Sequence, residues 1–102
     1  MKEPEYYYVY PTVEIRINLT ELFDGVYTYI VNGIKYGELD KTYFTKSRIH
    51  VIINTFCYDI IYRYIEDKIN KDIDEVELFD LQNELVDRLI PHLDELLELY
   101  NE

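Results

Sequence analysis

Residues 26–36, Val26-Tyr27-Thr28-Tyr29-Ile30-Val31-Asn32-Gly33-Ile34-Lys35-Tyr36, decide how the first half of this chain is read. Val26 to Val31 is rich in β-branched and aromatic residues, and Asn32-Gly33 is the dipeptide that best accommodates the left-handed backbone of a two-residue hairpin turn. With Ile34 to Glu38 as the return strand, the stretch predicts a β-hairpin. Working outward toward the N-terminus, Val13, Ile15, Ile17 and Leu19 alternate with Glu14, Arg16, Asn18 and Thr20. That period of two predicts a strand with one buried and one wet face. Between the two, "LTELFDG" (19–25) reads as a turn or short helical loop ended by Asp24-Gly25. Tyr6 to Tyr10 holds four tyrosines in five positions and reads as an edge strand, because the following Pro11 cannot donate to a ladder.

Beyond Thr45 the period becomes that of a helix. Ile49, Ile53, Phe56, Ile60 and Tyr64 recur at steps of four and three, and Ile52, Ile61 and Ile65 widen the stripe. Thr45 or Ser47 is the expected cap of this broad-faced helix. Asp74 and Glu77 stand in capping-box spacing ahead of a narrower stripe, Leu78, Leu81, Leu85 and Leu89. Pro91 then predicts a kink or a fresh short helix, since Leu93, Leu96, Leu97 and Tyr100 resume the pattern. The expected fold is α+β in a single domain, 1–102. A small antiparallel sheet of three to four strands, within about 6–38, packs against two to three C-terminal helices at about 46–69, 75–90 and 91–100.

Apolar residues make up 48% of the 102, which places the chain among folded proteins despite a net charge of −11. Cys57 is the single cysteine, so no internal disulfide can form and a reducing cytoplasm is expected. Met1-Lys2-Glu3-Pro4-Glu5 carries charge and proline where a signal peptide needs an apolar run. Asn54, Asp59 and Arg63 interrupt the most apolar window, Ile49 to Ile65, so no membrane partner is expected. The sequon Asn18-Leu19-Thr20 has no secretory route behind it and reads as a chance match.

The charge is unevenly placed. Residues 1–65 hold eight acids and seven bases, a net of −1, whereas 66–102 hold thirteen acids and three bases (Lys68, Lys71, Arg88), a net of −10. Glu77, Asp80, Glu84 and Asp87 step by three, four and three along the wet face of the leucine helix, with Asp94 and Glu98 beyond the proline. Such a ridge places a carboxylate roughly every 5 Å, where like charges repel by tenths of a kcal/mol per pair. It can imitate nucleic-acid phosphates, although duplex DNA carries a charge about every 1.7 Å of axis. One helix edge therefore needs a second row, from Asp72, Asp74 and Glu75 or from a dimer mate.

Catalytic patterns are absent. His50 and Cys57 lie two turns apart, about 10 Å and beyond hydrogen-bond reach, so a helix-end histidine and a buried thiol are the better reading. His92 reads as a surface or partly packed histidine. Ser47 is the single serine and lies outside any Gly-x-Ser-x-Gly; the three glycines build no phosphate loop. No loop has the order of a calcium hand. No enzyme, cofactor or metal centre is expected. Direct nucleic-acid binding is disfavoured because the tyrosine cluster sits among acids on a strongly negative chain. Tyrosine suits a protein partner, with Tyr6, Tyr8 and Tyr10 on one face of the strand as an anchoring patch.

In overall profile the chain is similar to the small acidic proteins with which phages and other mobile elements disable host machinery, anti-CRISPR proteins among them. The similarity is one of composition and attaches to no particular residues. It implies a viral protein that acts in the host cytoplasm by inhibiting a nucleic-acid-processing partner. The expected contacts with that partner's basic surface are Glu77, Asp80, Glu84, Asp87, Asp94 and Glu98, with Tyr6, Tyr8 and Tyr10. The rival expectation is a structural or regulatory homodimer, paired through the tyrosine edge strand or the leucine stripe, with a merely solvated acidic face.

Overall fold

The stretch read as a hairpin is the second half of a long helix. A computed structural model describes residues 6–10, 15–69 and 75–101, with side chains for 18–67 and 78–101. Helix α1 runs Leu19–Lys35. Its buried residues Leu19, Leu22, Val26, Ile30 and Ile34 step by three and then four, the period of one helical stripe. Asn18 caps it, the side-chain Oδ1 accepting the Glu21 N–H at 3.0 Å. Asp24 and Gly25, expected to end a turn, lie inside the helix.

The end of α1 explains the misreading of Asn32-Gly33. Gly33 is still helical, and a methyl group there would stand 2.7 Å from Cζ of Phe56 and 3.0 Å from Cδ1 of Leu39. Residue 33 is therefore bare because other side chains pack onto its Cα. The positive backbone angle occurs at Gly37, φ 74°. There the Gly37 N–H donates to Ile34 O at 3.1 Å and the Glu38 N–H to Gly33 O at 2.8 Å, the paired bonds of a Schellman cap.

The α+β expectation is thereby overturned. The fold is helical, and no sheet of three to four strands underlies the helices among the described residues. Strand pairing there is a two-stranded antiparallel ribbon, β1 (Tyr6–Tyr10) with β2 (Ile15–Asn18), in which Tyr8 stands opposite Arg16. The expected strand through Leu19 stops at Asn18, where the chain turns into α1. Val13 and Pro11 lie outside the described residues.

After α1 a loop with a short 3₁₀ turn, Lys41–Tyr43, leads to a composite helix. This consists of α2 (Ile49–Val51), a π-turn (Ile52–Phe56) and α3 (Tyr58–Ile69). Neither Thr45 nor Ser47 caps it: the N-cap is Arg48, without a side-chain bond. Thr45 instead receives the Ile49 N–H on its carbonyl at 2.9 Å.

The π-turn has a reason in the sequence. Ile49, Ile53, Cys57, Ile61 and Ile65 are all buried and recur at steps of four. On a regular α-helix such a run slips about 40° per step, about 160° in all, and would carry Ile65 out of the core. One extra residue in the π-turn takes back about 100°. The Cys57 N–H reaches back five residues to Ile52 O at 3.0 Å. Thr55 Oγ1 donates to Val51 O at 2.6 Å.

Helix α4 (Glu75–Leu89) buries Leu78, Leu81, Leu85 and Leu89. Pro91 sits in a 3₁₀ turn, Ile90–His92, that leads into α5 (Leu93–Glu98) and a last turn, Leu99–Asn101. Helix α1 packs against α3, α4 and that last turn, while the π-turn packs on α4. The Tyr100 hydroxyl donates to Leu39 O at 2.8 Å, and the Tyr100 ring meets Phe44 edge-on, tying the C-terminus to the loop after α1. The capping box at Asp74 lies outside the described residues.

Candidate functional site

With its leucines turned inward, α4 presents Phe79, Asp80, Asn83 and Asp87 to solvent. Asp80 and Asp87 lie about 10 Å apart along the axis. Between them Glu84 is drawn toward Arg88, the Nε–Oε1 distance being 3.7 Å, so one cation does stand within the row. At this exposure such a pair contributes no more than a few tenths of a kcal/mol. Asp94 and Glu98 on α5 are exposed as well. The side chain of Glu77 lies outside the described residues, as do those of Asp72, Asp74 and Glu75 for the second row. So do the side chains of Tyr6, Tyr8 and Tyr10.

Phe79 is the residue that the sequence reading passes over. It is 56% exposed, beside Asp80 and one turn before Asn83. The available signal is that Phe79 falls outside the 78/81/85/89 stripe. Leu81, Leu85 and Leu89 are fully buried in the chain's own core, so the leucine stripe is not an open surface for a second copy.

The start of α5 forms a polar tie to α1. Glu95 Oε2 accepts from the Tyr27 hydroxyl at 3.1 Å and lies 3.1 Å from His92 Nδ1. The His92 ring packs against Phe23 and Tyr27, with centroids 5.7 Å and 5.5 Å away. The hydrogen bonds from His92 and Tyr27 hold the Glu95 carboxyl below its ordinary range. Partial burial, then the bond to Glu95, pushes Tyr27 up. His92 is thus a packed histidine at a helix junction. Cys57 is fully buried, and desolvation pushes its thiol up to about 12, where it is no nucleophile. His50 is exposed. No group of three or more His, Cys, Asp or Glu among the described residues is placed to hold a metal ion.

A cavity of about 350 Å³ opens between the loop after α1 and the π-turn. Leu39, Val51 and Ile52 give it an apolar floor, Tyr43 and Phe56 contribute rings, and Glu38 and Asp40 are its carboxylates. Sequence reasoning misses it because a helix period conceals a π-turn. No family model, curated protein or solved structure matches the chain significantly. Among the described residues no helix is long and apolar enough to cross a membrane.

Proposed function

We propose that the chain is an acidic protein-binding inhibitor that lays the wet faces of α4 and α5 on a basic, nucleic-acid-binding surface of a partner protein, in the manner of a phage or mobile-element anti-defence protein. One observation carries this reading: Asp80, Asp87, Asp94 and Glu98 are all exposed on the C-terminal helices, in a segment of net charge −10. A field of that strength raises association rates with positive surfaces and repels nucleic acid itself. Phe79 supplies what carboxylates alone lack, an apolar group that can be desolvated at the centre of an interface.

The test is capture of partners from host extract on the immobilised chain, eluted in salt steps and identified by mass spectrometry. A basic nucleic-acid-binding protein that elutes at moderate salt, and that Asp80→Lys/Asp87→Lys fails to hold, supports the reading. Partners held equally by the double variant would reduce the acidic row to a solvated face.

A further inference from the structure

We infer that the cavity beside the π-turn is a receptor for the guanidinium group of an arginine side chain, the partner's own in the docked complex; this deepens the proposed function and rests on its basic partner. The cavity is at the small end of ligand sites, about 350 Å³, room for one long side chain rather than a cofactor. Its lining combines carboxylates, aromatic rings and aliphatic surface, and among the described residues includes no Lys or Arg. Arginine requires all three at once: aliphatic surface for its stem, a ring face for its weakly hydrated plane, and carboxylate oxygens for its fork of donors. Leu39 and Ile52 provide the first, Tyr43 and Phe56 the second, Glu38 and Asp40 the third.

Part of the wall is held before any ligand arrives, while Glu38 and Tyr43 stand exposed at its rim. Gly33 lets the Phe56 ring sit close on α1, where it packs on Tyr29 with centroids 4.7 Å apart. Thr55 anchors the π-turn through its bond to Val51 O. Asp40 accepts the Thr42 N–H at 2.9 Å, which fixes its carboxylate. Lys41 and Arg48 also act on Asp40, so part of its charge is already balanced from within the chain. No cation pairs with Glu38 among the described residues, which makes Glu38 the principal acceptor.

The experiment needs no knowledge of the partner. Nα-acetyl-arginine amide is titrated into the isotope-labelled full chain by NMR, with Nα-acetyl-citrulline amide as the uncharged isostere. Saturable shifts confined to Tyr43, Thr55, Phe56 and their neighbours are expected with arginine and not with citrulline. Glu38→Gln weakens them about threefold, the effect of one exposed charge contact, and Tyr43→Ala weakens them further. An unchanged spectrum for the remaining residues shows that each variant is folded. Equal shifts with citrulline, no saturation, or indifference to Glu38→Gln would overturn the assignment. Any of these would leave salt-dependent binding through α4 untouched, so the two ideas fail separately.

Discussion

Gly33 of α1 and Phe56 of the π-turn set how closely two helices approach: a methyl group on residue 33 would stand 2.7 Å from Cζ and 2.9 Å from Cε2 of the ring. Gly33→Ala must push the ring off its seat on Tyr29. Overpacking of this kind costs about 1–3 kcal/mol, against a gain of about 1 kcal/mol in helix propensity. A net loss of about 1 kcal/mol is expected, read as a lower denaturant midpoint. Gly25 in the same helix is the control, because a methyl group there meets nothing within 4 Å. Gly25→Ala is expected to raise stability by about 0.5–1 kcal/mol. In a hairpin reading the two glycines have no reason to respond with opposite signs.

Tyr100→Phe isolates the tie between the C-terminus and the loop after α1. It keeps the ring against Phe44 and deletes the bond to Leu39 O. A loss of about 1 kcal/mol is expected in chemical denaturation. Faster amide hydrogen exchange in residues 99–101, with α3 unaffected, would show that the loss is local.

The Tyr27–Glu95–His92 tie predicts a pH signature with two edges. The folded-state pKa of Glu95 is lowered, so its contribution is present above the ordinary carboxylate value of 4.5 and is lost as pH falls through the lowered value. Tyr27 is raised, so its contribution is present below its ordinary 10.0 and is lost as pH rises through the higher value. Glu95→Gln should therefore melt below the wild type at pH 7, with the gap closing as pH falls below 4.5 and through the lowered value. Tyr27→Phe should differ from the wild type at pH 7 and converge with it above pH 10. A gap that stays constant with pH would contradict the tie.

Stability and binding are expected to part company on α4. Asp80→Lys/Asp87→Lys removes repulsion between exposed carboxylates and should leave the fold unchanged or stabilise it by some tenths of a kcal/mol. Leu85→Ala, at a fully buried position, should cost about 2–5 kcal/mol. Thermal melts of the two variants beside their partner binding separate a functional face from a structural one. Leu85→Asp would unfold the chain, so it cannot report on a dimer.

The C-terminal helices are legible because their signal is periodic and local. Leu78, Leu81, Leu85 and Leu89 are buried as their spacing implies, as are Ile49 and Ile53; past the π-turn the core side passes to Cys57, Ile61 and Ile65, and Phe56, Ile60 and Tyr64 of the expected stripe are half-buried. The first half misleads because Asn32-Gly33 is a local turn signal, whereas the group that requires a bare Cα at residue 33 is Phe56, far along the chain. The stripe Leu19, Leu22, Val26, Ile30, Ile34 is present in the sequence, but β-branched and tyrosine residues between its members imitate a strand. The exposure of Asp80 and Asp87 follows from the leucine period. The cavity does not, since it depends on a π-turn whose only trace is an over-regular step of four. Phe79 is visible only as an aromatic outside the stripe.

The proposed inhibition requires that the acidic face occupy the site on its partner that nucleic acid would otherwise fill. Its most direct measurement is competition: a fluorescent oligonucleotide bound to the captured partner is titrated with this chain and followed by anisotropy. Full displacement is expected with one equivalent saturating, weakening steeply between 50 and 200 mM salt as ionic contacts of this kind do, and none with Asp80→Lys/Asp87→Lys. A stable ternary complex, in which the oligonucleotide stays bound while this chain associates, would contradict it.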